Sequence, residues 1–265
     1  MAPVASTTAI VSNMATSSSP VSSMSSTTVD IYVVNPNSSS IITDALSASL
    51  SPQTPPGCTS HFITGPPSSP ESIQDVPGSI ISAAETYRSL LASSPSSDLT
   101  LHPASAFLVA CFSDHPLVGI LRQKCPNKPS IHLLEAAIIH ALTCGTRFGV
   151  LTTGKSVVPD VEAGVRKVMG GNSDRYVGTH ATGLGVVELQ SGNRDKVEGL
   201  MKKGAQELVG KGADVIILGC AGMTGMEGLV RRACAEVGEQ EVAVIDGAKA
   251  GMQILAGLAR VNYRS

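Results

Sequence analysis

Two cysteines carry the chemistry this sequence can offer, and each stands at the end of an apolar run. In Ala213 to Met223 (ADVIILGCAGM), Val215–Leu218 has no polar interruption. Such a run predicts a strand buried on both faces of a parallel α/β sheet. It stops at Gly219-Cys220-Ala221-Gly222, which puts a thiol at the C-terminal edge, where open α/β sheets bind their ligands. Small neighbours there let a ligand come close to the backbone. Ala106 to Asp114 (AFLVACFSD) has the same form and ends on Cys111. Two thiols on opposite sides of one carbon can take a proton from one face and return one to the other. Cysteine suits both roles, since its ordinary pKa of about 8.5 lies close to neutrality. Strand-end amides and helix N-termini help the thiolate form. The carbanion would need donors at its oxygen. The Asn35–Ser39 turn, the Thr152-Thr153-Gly154 turn and the Ala221–Gly222 amides are the candidates.

The elements that must position these groups follow from apolar spacing. Asp30–Val34 reads as a strand broken by Pro36, with Asn37 or a following serine capping a helix over 40–50. A strand is expected at His61–Thr64, then a Pro/Ser-rich loop over 65–78 long enough to form a lid. Ile80–Leu91 has helical spacing, Phe107–Cys111 is a strand, and Leu117–Lys124 a helix. Ser130–Leu133 is a short strand and Glu135–Thr143 a helix. The pattern then repeats. Phe148–Thr153, Tyr176–His180, the Cys220 run and Val242–Asp246 are strands. Val158–Met169, Arg194–Val209, Met226–Val237 and a segment ending at Arg260 are helices. From Asn35 to Cys111 is 76 positions and from Thr153 to Cys220 is 67. Glu135 and Asp246 each open an Ala-rich helix and are read as helix caps. The expected fold is therefore α/β, with two pseudo-symmetric parallel-sheet halves over 29–145 and 146–265. The last helix is free to pack on the first half, and the cleft between the halves holds both thiols.

The 265 residues suffice for one large α/β domain or two small ones. With no tryptophan and four phenylalanines, the core must be Val, Ile, Leu and Ala. Net charge is −2 and no basic run occurs, so nucleic acid is not an expected partner. No apolar stretch approaches the roughly 20 residues of a membrane span. Residues 1–28 carry no charge and neither a basic n-region nor arginines, so they read as a disordered tail rather than a leader. Six cysteines without CxxC or zinc spacing indicate reduced thiols in a cytoplasmic protein and no metal site. Most unpaired cysteines are small buried hydrophobes, and Cys58, Cys125, Cys144 and Cys234 are read that way.

The ordered set Val-Val-Asn35-Pro-Asn37-Ser38-Ser39, Ala110-Cys111-Phe112-Ser113-Asp114, Glu135-Ala-Ala137, Leu218-Gly-Cys220-Ala-Gly-Met223 and Val244-Ile-Asp246-Gly247 resembles the Asp/Glu/hydantoin racemases, in particular their hydantoin and allantoin branch. The resemblance runs from about residue 29 to 260. It implies racemisation without a cofactor, Cys111 and Cys220 as the acid–base pair, and a hydantoin-type ring as substrate. It further implies that the ring is held by the Asn37–Ser39 turn and by amides after each cysteine (Phe112, Ser113, Ala221, Gly222), to which the Thr152–Thr153 turn is added. Glutamate racemases follow the second cysteine with Thr-His and the first with Asn-Thr; Ala221-Gly222 and Phe112-Ser113 depart from both. His115 stands where the bacterial hydantoin pattern leads one to expect glycine, and is read as a rim residue. A small molecule and further copies of this chain are the expected partners. Racemisation of aspartate or glutamate is an alternative, and a non-catalytic ligand-binding relative is another.

One rival motif needs an answer. Gly149 to Ser156 (GVLTTGKS) matches the nucleotide-binding pattern G-x-x-x-x-G-K-S letter for letter. That loop requires its first glycine to follow a strand, whereas Gly149 is expected inside one.

Overall fold

The computed structural model describes residues 28–185, 188–189, 192–237 and 241–262. The tail expected over 1–28 lies outside them except for Thr28. The chain order is β1 (Val29–Asn35), α1 (Ser40–Leu50), β2 (Cys58–Thr64), α2 (Val76–Ser93), β3 (Ala106–Val109), α3 (Pro116–Lys124), β4 (Ser130–His132) and α4 (Leu133–Cys144). It continues with β5 (Phe148–Thr152), α5 (Val158–Met169), β6 (Tyr176–Ala181), α6 (Arg194–Gly210), β7 (Val215–Leu218), α7 (Glu227–Ala235), β8 (Ala243–Asp246) and α8 (Gly247–Val261).

The strands form two four-stranded sheets ordered β2-β1-β3-β4 and β6-β5-β7-β8, with every pairing parallel. The α/β fold is as the sequence predicts, and the two sheets share one plan. β3 and β7 are inner strands, buried at every position. That burial explains their uninterrupted apolar runs, since both faces of a central parallel strand meet helices.

The helices after the outer strands cross over. α4 packs against β7, β8, α5 and α8, while α8 packs on β1, β3 and β4. One apolar core consequently runs through both sheets, with Ile31, Leu108, Ala137, Val150, Ile217 and Leu255 among its members. Close packing requires glycine at Gly219, where a Cβ would stand 2.9 Å from the Leu151 carbonyl oxygen and 2.7 Å from Val150 Cγ1.

The structure corrects several expectations. β2 begins at Cys58 because it pairs with β1 along its whole length, from Val29↔Cys58 to Asn35↔Thr64. α2 begins at Val76, inside the segment read as a loop. Asp75 caps it through a 2.7 Å bond from the Gly78 N–H, and Pro77 sits in its first turn, as helix starts favour. Glu135 does not cap α4; its own N–H donates to His132 Nδ1 at 3.1 Å, and its carboxylate pairs with Arg122. His132, at the end of β4, is thus the counterpart of Asp246 at the end of β8, where Asp246 Oδ1 accepts from the Ala248 and Lys249 N–H groups. Gly149 lies within β5, where a Cβ would meet Leu208 at 2.8 Å. The nucleotide-binding reading fails on that packing.

Candidate active site

Cys111 and Cys220 occupy equivalent positions, two residues beyond the last paired position of β3 and of β7. Backbone bonds hold each chain end. Ala110 N–H donates to the Val34 carbonyl at 2.8 Å, and Gly219 N–H to Leu151 at 2.7 Å. Leu133 N–H reaches the Cys111 carbonyl at 3.2 Å, tying the start of α4 to the first thiol. Cys220 opens a single 3-10 turn over Ala221–Met223, and its Sγ accepts from the Gly222 N–H at 3.4 Å. Cys111 Sγ lies 3.2 Å from Ser113 Oγ.

Both thiols open on one cavity of about 380 Å³ between the sheets, within the size range of small-molecule sites. Burial pushes the Cys111 thiol up to about 11, against the opposing pull of the Ser113 hydroxyl and the Phe112 amide. Burial likewise pushes Cys220 up to about 12; the Gly222 amide pulls it down and the charge of Cys111 raises it further. The two sulfurs therefore feel one another. Both are protonated at rest, and a thiolate formed here is a stronger base than one in water.

Of the residues singled out above, Asn37, Phe112, Ser113, Thr152, Thr153 and Ala221 line the same cavity as the two cysteines. Ser38, Ser39 and Gly222 do not. Ser38 N–H donates to Pro70 O at 3.0 Å and Ser39 N–H to Asn37 Oδ1 at 3.0 Å. The amides of Ser38 and Ser39 are thus already engaged, and of the three turn residues Asn37 lines the cavity. Ser39 occupies the cap position of α1 without a side-chain cap bond. The turn is itself held by Asn35, fully buried, whose Nδ2 donates to Ser39 O and Thr43 Oγ1 at 3.0 Å each. Thr152 Oγ1 donates to Gly219 O at 3.0 Å, fixing the backbone that presents Cys220.

His115 is not at the rim; it is buried behind the wall, 1% exposed. Its Nδ1 accepts from Leu117 N–H, which leaves Nε2–H to donate to Ser82 Oγ at 3.1 Å. Ser82 donates to Pro36 O at 2.9 Å, and Thr86 to the same carbonyl at 3.2 Å. Burial, with the charge of His132, pushes the His115 pKa down to about 4.

The remaining walls come in part from the 65–78 segment expected as a lid and from the helix that follows it, and in part from residues not singled out in the sequence. Ile73, Val76 and Ile80 come from α2 and the segment before it, Val157, Val161 and Lys167 from α5 and its approach, and Asp114 from the Cys111 loop. His132, facing Asp114 at 3.7 Å, and Lys167, at 2.6 Å, hold the Asp114 carboxyl well below the usual range. No group of His, Cys, Asp or Glu among the described residues could hold a metal ion. No described helix is long and apolar enough to cross a membrane.

Two like sheets with a thiol at the same edge of each define a two-thiol α/β protein built around a shared cleft. The sequence profile of the Asp/Glu/hydantoin racemases matches residues 31–255, and the chain belongs to that family. It is 38% identical to an uncharacterized Schizosaccharomyces pombe protein, over 88% of this chain and 93% of that one. To a hydantoin racemase of Paenarthrobacter aurescens it is 26% identical, over 89% of this chain and 93% of the relative. Among solved structures it resembles an allantoin racemase from Pseudomonas fluorescens, with a TM-score of 0.75 and 26% identity, over 88% of this chain and 92% of the other. Membership of the family implies a small-molecule substrate.

Proposed function

We propose that the protein is a cofactor-independent racemase of 5-substituted hydantoins or allantoin, with Cys111 and Cys220 as its two acid–base groups. The observation that carries this reading is the pair of equivalent strand-end thiols opening on one cavity. One thiolate removes the proton at ring carbon 5 and becomes a thiol. The electron pair moves onto the adjacent carbonyl oxygen as an enolate. The opposite thiol then delivers its proton to the other face and is left as the thiolate, so the next turnover runs in reverse. The imide-like ring makes that carbon acidic, and desolvation of the two sulfurs makes each thiolate a stronger base to meet it. Asn37, Ser113, Thr153 and the backbone at Phe112 and Ala221 are the groups proposed to hold the ring and its developing charge.

The charges of the cavity wall support a neutral ring over a free amino acid. No arginine lines it among the described residues, and its lysine, Lys167, is paired with Asp114. An amino-acid carboxylate would have to break that pair or go without a partner. The test is α-hydrogen exchange in deuterated solvent, read by mass spectrometry beside loss of optical rotation. 5-Substituted hydantoins and allantoin should exchange without added cofactor, and L-aspartate and L-glutamate should not. Cys111→Ala and Cys220→Ala should each lower racemisation by about a hundredfold or more. Full activity in either variant defeats the two-base mechanism.

A further inference from the structure

We infer that Asp114 is a positioning residue for Cys111: His132 from the first half of the chain and Lys167 from the second clamp its carboxylate, and the clamp holds the loop that aims Cys111 into the cavity. The inference rests on the racemase reading for what that aim serves.

Asp114 stands three residues beyond Cys111 and lines the same cavity. Its Oδ2 accepts from Lys167 Nζ at 2.6 Å, and its Oδ1 faces His132 Nε2 at 3.7 Å. His132 is buried, and its Nδ1 already accepts from the Glu135 N–H. The ring hydrogen is therefore on Nε2, the nitrogen that faces Asp114. Glu135 Oε2 lies 4.0 Å from the same nitrogen but is itself held by Arg122 at 2.8 Å. The next residue, Leu133, donates its N–H to the Cys111 carbonyl at 3.2 Å. Two consecutive residues at the corner between β4 and α4 thus grip both ends of the loop Cys111–Asp114. From the other half, α5 closes on it. A Cβ at Gly164 would stand 3.6 Å from the Asp114 nitrogen, and Lys167 follows one turn later on the same helix face.

The second thiol is held differently. Three residues beyond Cys220 stands Met223, fully buried in an apolar core at the end of the 3-10 turn. Loosening the Asp114 clamp should therefore disturb one sulfur and spare the other. The effect on chemistry is large, because misplacing a reacting group by about 1 Å can lower a rate about a hundredfold.

The experiment measures iodoacetamide alkylation of each cysteine by peptide mass spectrometry in the whole chain, in Asp114→Asn and in Lys167→Met. It then measures kcat and KM for each on 5-benzylhydantoin. A loosened loop admits solvent and reagent, so alkylation of Cys111 should quicken about threefold or more in both variants, the scale of an exposed ion pair, with Cys220 within about twofold. Charge by itself predicts opposite signs: losing the Asp114 carboxylate favours the Cys111 thiolate, and losing the Lys167 ammonium disfavours it. A Cys111 rate unchanged or lowered in either variant overturns the inference, as does equal quickening of Cys220. Lys167 is exposed, so its variant keeps the fold, and slow alkylation of the buried Cys125 and Cys234 checks this for both. In Asp114→Asn, kcat should fall about tenfold or more with KM within about threefold. An unchanged kcat, or a loss confined to KM, overturns the positioning role. If no hydantoin reacts even with the unaltered chain, the racemase reading fails by itself, and the alkylation rates decide the clamp.

Discussion

Both cavity thiols are half-buried and pushed up by desolvation, and under the proposed mechanism that sets how the rate must depend on pH. A thiol pushed up to about 11 is ionised in only ~10⁻³ of molecules at pH 8. The proposed mechanism needs one thiolate and one thiol, so its active form is the singly ionised pair, whose steps belong to the pair rather than to either residue. The sign is therefore fixed. kcat/KM should rise about tenfold per pH unit from pH 7 to 9, with no plateau below pH 9. A pH–rate profile on a hydantoin substrate measures it, and a plateau already at pH 7.5 would show that the thiols are far more acidic than their burial allows. Ser113 sharpens the point, because its hydroxyl sits 3.2 Å from Cys111 and pulls that thiol downward. Among the described residues, the Cys220 sulfur accepts from the Gly222 amide and meets no corresponding hydroxyl.

One buried network joins the elements around the cleft. His115 caps α3, reaches Ser82 on α2, and through it the carbonyl of Pro36 in the turn that carries Asn37. This bonding pattern suits the neutral ring, with the proton on Nε2, and burial holds it neutral down to about pH 4. The unfolded chain's histidine binds its proton near 6.5. Between pH 6.5 and 4 the unfolded state thus takes up more protons, and stability falls as pH falls. His115 should account for about 3 kcal/mol of that loss, present in full above pH 6.5 and gone near pH 4. Urea unfolding at pH 7 and pH 4.5 checks this, since His115→Gln should flatten that part of the acid slope. An equally steep slope in the variant would assign the acid sensitivity elsewhere.

The crossing of α4 and α8 makes the two halves one folding unit. α4 belongs to the first half in sequence yet covers β7 and β8, and α8 belongs to the second yet covers β1, β3 and β4. Residues 29–145 and 146–265 made separately would each expose the sheet face that the other half's helix covers. Each fragment should lack a cooperative thermal transition, whereas the whole chain should show a single one. Calorimetry on the three proteins tests this, and a cooperative transition in either fragment would contradict it. The proposed mechanism relies on the same crossing, because one shared core underlies both strand ends that carry the thiols.

The strands, the α/β class and the two thiols at matched strand ends were all legible in the chain, because apolar period and glycine punctuation are local properties. So was the second occurrence of the plan, written in the spacing of Cys111 and Cys220. The start of α2 was missed, because the Pro/Ser-rich neighbourhood of Asp75 and Pro77 led to a loop reading through residue 78. What no local pattern could announce was which distant side chains share a wall. Val76, Val161 and Lys167 come together only when two sheets pack, and nothing in their own neighbours distinguishes a cavity wall from an ordinary buried face. His115 makes the same point from the other side. Its sequence neighbours put it at a loop edge, yet it is buried and bonded to Ser82, 33 positions away. Periodicity reports which face of an element avoids water; only the packed molecule reports what that face meets.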